Sequence, residues 1–319
     1  MTITDVKPIS LIILYLGMIS SGGLVQAQSD QPSPRNQPVM IYADHIGGAV
    51  LFGGFVNGKR TNDTWLWNGS WRQLITENAP PVRSGHSMTY DTLRKKIVLF
   101  GGRGVDSLLN DTWTFDGEDW RQIKTEGPPA RQSHRLEYDQ SRRKTVLFGG
   151  SGADRNSLSD TWLFNGRKWE QLETEIPGRL QHAMSYNPER RSIILFGGFS
   201  RLDGEKTVLA DTWEYKAKTW RKMRAEGPVG RDHHAMAFDP TSQSTLLFGG
   251  YREGYLGDTW QLVKGTWRIF TPNGPNRAGK PTIFYDKISA QLIMYGGWDS
   301  GNKPLTDFWI FDLRWKQSN

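Results

Sequence analysis

The sequence predicts an all-β fold, a propeller of six blades with four antiparallel strands each, and three observations carry that prediction. A glycine pair recurs six times, at Gly53-Gly54, Gly101-Gly102, Gly149-Gly150, Gly197-Gly198, Gly249-Gly250 and Gly296-Gly297, with spacings of 48, 48, 48, 52 and 47 residues. Each pair closes an apolar run and is followed by an Asp-x-Trp triplet: Asp63-Thr64-Trp65, Asp111-Thr112-Trp113, Asp160-Thr161-Trp162, Asp211-Thr212-Trp213, Asp258-Thr259-Trp260 and Asp307-Phe308-Trp309. A second tryptophan follows within six or seven residues of the first, at Trp71, Trp120, Trp169, Trp220, Trp267 and Trp315. Self-similarity at a fixed period of this size is the signature of a repeat architecture.

Each repeat holds four short β-prone runs. In the second they are His86–Asp91, Ile97–Gly102, Asp111–Phe115 and Trp120–Ile123. Turn dipeptides separate the last two runs, Asn68-Gly69, Asp116-Gly117 and Asn165-Gly166 in the first three repeats, and these suit tight hairpins. A lone four-stranded meander leaves both faces wet, whereas six set radially cover one another. Glycine pairs belong where φ is positive or backbones approach closely. The tryptophan columns fill the wedges between blades, each ring removing about 150–250 Å² from water. Only Trp67 and Trp298 stand off these columns.

The N-terminus lies outside the repeat. Lys7, then the apolar Ile9–Ile19, then small residues ending Val25-Gln26-Ala27, follow the order of a cleavable secretory signal. The expected organisation is a signal at 1–27, a polar lead-in at 28–37 and a propeller at 38–319, with blades near 38–75, 86–124, 134–173, 182–224, 234–270 and 281–317. A secreted or periplasmic location follows, with cleavage near Ala27. The chain has no cysteine, so it forms no disulfide and no thiolate metal site. A net charge of +7 favours anionic surroundings such as acidic glycans or the cell-envelope surface. Blades 1 and 6 each have four strands of their own, so the ring is expected to close by side-chain packing, with its weakest seam there.

The double glycine, the aromatic and the tryptophan six residues on resemble the kelch motif, and the resemblance covers essentially all of 38–319. It implies that the loop before each inner strand and the loop after each glycine pair lie on one face, around the mouth of the central channel. The first of these loops carries Arg35, Arg83, Arg131, Arg179, Arg231 and Arg277. In some kelch domains arginines here bind acidic peptides, which would make this a ring of six at the mouth. Glu77, Glu126, Glu175 and Glu226 recur in the same loops and would neutralise four of them, leaving Arg35 and Arg277 without a partner. A histidine follows three residues later at His86, His134, His182 and His234, with Pro38 and Lys280 standing there in blades 1 and 6.

Departures from the repeat are better site candidates, since a ligand site on a pseudo-symmetric ring needs asymmetry. The residue after the glycine pair is aromatic at Phe55, Phe199, Tyr251 and Trp298, and these rings either receive a sugar or shield the channel. The insertion Phe199–Ala210 is either a lid or a surface loop. On the opposite face, turns at Arg94-Lys95-Lys96, Arg142-Arg143-Lys144 and Arg190-Arg191 form a one-sided basic patch, without the interleaved aromatics that nucleic acid readout uses.

Enzyme signatures are weak. Kelch relatives with a copper–radical site need a cysteine joined to a tyrosine, which this chain lacks. Metal-binding histidine spacings and a nucleophile elbow are missing, so no cofactor, metal or catalytic residue is expected. The leading expectation is a monomeric binding module for an anionic glycan or acidic protein segment, without nucleic acid. A periplasmic sugar mutarotase and a protein scaffold are the alternatives.

Overall fold

The computed structural model describes residues 30–271, 274, 275, 279–299, 301, 303–311 and 315–318. The signal-like segment and Arg277 lie outside them. Six sheets of four antiparallel strands follow one another in chain order, spanning Val39–Leu74, Ser87–Ile123, Arg135–Leu172, Ala183–Lys222, Ala235–Thr271 and Thr282–Gln317. A further two-stranded hairpin, Phe199–Leu202 with Glu205–Val208, makes up the insertion in blade 4. The first strand of each blade lines the central channel.

In blades 2–5 the repeated residues form one interlocking joint each. Arg83 is representative. Its backbone belongs to blade 1: its carbonyl accepts from the Gly54 N–H at 2.9 Å, and its N–H donates to the Thr61 carbonyl at 3.0 Å. Its side chain belongs to blade 2, donating to the Gly101 carbonyl at 3.0 Å and to both Asp111 carboxylate oxygens at 2.7 Å. The same aspartate accepts from the Trp113 indole at 2.7 Å. The Asp-x-Trp aspartate is thus the seat of the arginine, and the arginine rivets one blade to the next. Gly102 has φ 103°, and a Cβ there would lie 2.9 Å from both the Ser84 carbonyl and the His86 Cβ. Only glycine fits.

The threonine of each triplet explains the second tryptophan. Trp120 donates to Thr64 of the preceding blade at 2.9 Å, Trp169 to Thr112 at 2.9 Å, Trp220 to Thr161 at 3.1 Å and Trp267 to Thr212 at 2.9 Å. Blade 6 carries Phe308 in place of the threonine, and this is the blade that faces Trp71 of blade 1. There the ring of Phe308 packs on Trp71 at 5.8 Å and stacks on Trp67 at 4.5 Å, with Tyr295 on Trp71 at 5.3 Å. Trp67, off the repeat columns, is part of this aromatic seam. Among the described residues blades 1 and 6 share no strand, so the ring closes on side chains.

The histidine column is also a joint. His86, His134, His182 and His234 are buried and set their rings edge-on to Phe52, Phe100, Phe148 and Phe196 of the preceding blade at 5.5–5.6 Å. Burial first, and then the neighbouring arginine charges, hold all four below the usual histidine range, with His86 at about 3. They are neutral packing groups at neutral pH. In blade 6 the register Thr282↔Tyr295 matches Ala235↔Phe248, so Pro281 occupies this column and Lys280 falls one place earlier than the sequence spacing suggested.

Candidate site at the channel mouth

The described arginines of the loop column do not face the mouth. Arg35, Arg83, Arg131, Arg179 and Arg231 are all buried, four of them completely. Each holds an aspartate through two hydrogen bonds: Asp63, Asp111, Asp160, Asp211 and Asp258 respectively, at 2.5–3.1 Å. The partners are these aspartates and not Glu77, Glu126, Glu175 or Glu226, which are exposed. Arg35, expected to lack a partner, is seated on Asp63 like the rest. The physical reason is desolvation: a guanidinium inside the ring needs a carboxylate at bidentate range, and the triplet aspartate is already there. Burial alone would raise the Asp160 carboxyl, but the hydrogen bonds and charge of Arg131 outweigh it and hold it below the ordinary carboxylate range. Asp63, Asp211 and Asp258 are held down in the same way.

The mouth is lined by the residues just inside this column. Gln37, Gly85, Ser133, Gln181, His233 and Lys280 all take left-handed backbone, with φ from 53° to 66°. Four of their N–H groups bond round the ring: Ser133 to the Gly85 carbonyl, Gln181 to Ser133, His233 to Gln181 and Lys280 to His233, at 2.7–3.2 Å. Each blade therefore presents one such position, and only blades 5 and 6 place ionisable groups there.

Outside this ring, the residues after the glycine pairs bridge to the arginine loops: Phe55 to Asn36, Phe199 to Leu180, Tyr251 to Asp232 and Trp298 to Gly279. Three of the four predicted aromatics carry a cation over the ring. Arg60 lies over Phe55 at 5.5 Å, Lys206 over Phe199 at 4.3 Å with Arg201 at 5.3 Å, and Lys280 over Trp298 at 5.3 Å. Cations within about 6 Å of a ring face are attracted by its quadrupole. Tyr251 is exposed and sets its ring edge-on to Tyr255 at 5.2 Å. Arg103, the counterpart of these aromatics in blade 2, is exposed. Phe199 itself is buried, so it serves as a floor for its cations.

Electrostatics sharpen the blade 5–6 side. Lys280 is pushed down to about 7 by burial and by the Arg135 charge, with Asp232 pulling the other way. His233 falls to about 4, again through burial first and then the Lys280 charge. Asp232 is buried and carries both His233 and Lys206, the latter at 2.7 Å. Among the described residues no carboxylate forms a hydrogen bond or ion pair with Lys280. The insertion hairpin delivers Lys206 and is roped to blade 3: the Ser157 N–H donates to the Arg201 carbonyl at 2.9 Å, and the Arg201 N–H to Ser157 Oγ at 2.6 Å.

The basic turns on the opposite face are partly neutralised. Arg94 pairs with Asp91, Arg142 with Asp139 and Arg190 with Glu214, at 2.7–2.9 Å. Lys95, Arg143 and Arg191 remain exposed. No group of three or more histidine or carboxylate side chains suited to a metal occurs among the described residues.

Repeat, joints and ring closure define a kelch-type propeller. A profile of the KLHDC2/KLHL20/DRC7 Kelch-repeats domain matches residues 22–175 and again 144–319, and the chain belongs to the Kelch-repeat family. No curated protein matches it. The solved structure of YjhT is similar in fold, with a TM-score of 0.71 over 91% of this chain and 99% of that one at 14% identity.

Proposed function

We propose that this protein is an exported, non-catalytic binding module that takes an anionic glycan at its channel mouth. The observation that supports this most directly is the collar of cations backed on aromatic rings: Arg60 on Phe55, Lys206 and Arg201 on Phe199, and Lys280 on Trp298. The aromatic faces hold the cations up; Lys206 already pairs with Asp232, and Arg60, Arg201 and Lys280 are left to meet an acid group. Lys280, which pairs with no carboxylate among the described residues, gains most from an incoming anion, because a desolvated charge is costly until it is paired. Tyr251, exposed beside Tyr255, offers a ring for a sugar to stack on.

The test is calorimetric titration of the purified protein with acidic and neutral oligosaccharides of equal size, at low and high salt. Acidic sugars are expected to bind more tightly, with affinity falling as salt screens the collar. Equal binding of neutral sugars removes the role of the collar. Preference for acidic peptides over acidic sugars moves the ligand class to protein, and turnover of the bound sugar moves the protein to the mutarotase class.

A further inference from the structure

The channel below the mouth carries chemistry that no other blade repeats. At the first position of the six inner strands stand Val39, Ser87, Arg135, Ala183, Ala235 and Thr282, and two residues on stand Ile41, Thr89, Glu137, Ser185, Ala237 and Phe284. Only blade 3 is charged, and it is charged at both. Strand alternation sends Arg135 and Glu137 to the same side. Arg135 Nε donates to the His182 carbonyl at 2.9 Å, and Glu137 Oε1 accepts from the Tyr186 N–H at 3.0 Å. Both side chains therefore cross to blade 4, one bending towards the mouth and the other away from it.

Neither head group is used up. Among the described residues the terminal nitrogens of Arg135 meet no acceptor within hydrogen-bond range, and Glu137 Oε2 meets no donor. Burial first, and then the Arg135 charge among others, lowers His134, His182, His234 and Lys280, groups on four blades. Glu137 is pushed up to about 8 by burial, offset only in part by the Tyr186 N–H, so at neutral pH it is mainly a neutral acid able to donate. Both residues line a cavity of about 160 Å³ that opens at the mouth, floored on the blade 4 side by Ala183 and Met184. Such a volume admits a molecule of about six to eight non-hydrogen atoms.

We propose that this cavity is a binding site for a small carboxylate bearing a carbonyl or hydroxyl oxygen at its far end, its carboxylate on the Arg135 guanidinium and its far oxygen on the Glu137 carboxyl. His182 and Tyr186 are four residues apart, so the two head groups are offset along the channel by on the order of 10 Å. The carboxylate and ketone of 4-oxopentanoate lie about 5 Å apart. Two hydrogen bonds of about 2.8 Å close the remaining gap. The cavity borders the collar at Lys280, but the contacts proposed for its ligand are Arg135 and Glu137, so their failure leaves the collar reading standing.

The experiment titrates the purified protein with 4-oxopentanoate, pentanoate and the methyl ester of 4-oxopentanoate by calorimetry at pH 6.5. The keto acid is expected to bind at least about tenfold more tightly than either control. Arg135→Met lowers the acid to the level of the ester, and Arg135→Lys keeps part of the difference. Glu137→Met lowers the keto acid to the level of pentanoate, while Glu137→Gln, which still accepts from Tyr186 and still donates, keeps the preference and serves if the methionine variant fails to fold. Thermal unfolding checks each variant, and Lys95→Ala, exposed on the opposite face, leaves all three affinities unchanged. Equal affinity for the three probes, no binding of any, or unchanged binding in a folded Arg135→Met overturns the proposal.

Discussion

Replacing Arg131 with methionine separates a structural arginine from a ligand-binding one. The guanidinium is fully buried and donates to the Pro129 carbonyl at 3.0 Å, the Gly149 carbonyl at 3.0 Å and both Asp160 oxygens at 2.6 Å. Methionine keeps most of the volume and loses all four bonds. Asp160, only 18% exposed, then keeps the Trp162 indole as its donor in place of three. Removing one partner of a buried pair costs about 3–5 kcal/mol, because the other charge is stranded. For a large domain each kcal/mol moves Tm by about 2–4 °C, so a fall of roughly 6–20 °C is expected by differential scanning calorimetry. Adding Asp160→Asn recovers part of the loss, since the stranded charge is gone. Affinity for an acidic glycan, measured below the new Tm, stays within about twofold. An unchanged Tm together with lost glycan binding would refute the reasoning and return the arginine column to the mouth.

Further outcomes follow from the same joints. Thr112→Val leaves the Trp169 indole without its acceptor and is expected to cost about 1–3 kcal/mol in urea unfolding, with no change in Trp169 packing by near-ultraviolet dichroism. Hydrogen exchange is expected to open amides of Val39–Leu74 and Thr282–Gln317 before those of blades 2–5, because Phe308 replaces the threonine that would accept from Trp71; uniform exchange round the ring contradicts this. The four buried histidines have folded values below their unfolded 6.5, so they contribute stability that is present above pH 6.5 and lost as pH falls through it. Glu137 works in the opposite sense. Its value is raised from 4.5 to about 8, so its contribution is fully present below pH 4.5 and is lost as pH rises towards 8, and Glu137→Gln flattens that limb. Lys280 at about 7 loses its charge as pH rises through neutrality, so acidic-glycan affinity is expected to fall between pH 6 and 8, and Lys280→Arg is expected to remove the fall.

Most of the fold was legible because repetition multiplies weak signals. One glycine pair means little, but six in step with Asp-x-Trp and a second tryptophan leave few architectures open. The break at Phe308 was visible in the sequence too, and it marks the seam that the ring closes by packing. The arginine column misled because a recurring charge looks alike whether it serves a ligand or the blade. What decides is the partner, and the triplet aspartates were assigned to the tryptophan motif rather than to charge balance. The aromatics Phe55, Phe199 and Trp298 were found by their departure from the repeat, but the cations above them were not. Arg60 and Lys206 lie five and seven residues along the chain and reach the rings only after a hairpin folds back. Arg135 and Glu137 had a signal that went unread: they are the charged residues at strand positions that are neutral in every other blade.

The central claim is that an anion is taken by the collar and not by the arginine column. Its most direct measurement follows tryptophan indole resonances by NMR as an acidic oligosaccharide is added. Trp298, under Lys280 at the mouth, is expected to shift saturably, while Trp113 and Trp162, bonded to the aspartates that seat Arg83 and Arg131, stay put. A shift at Trp113 and Trp162 with Trp298 unmoved would contradict the account.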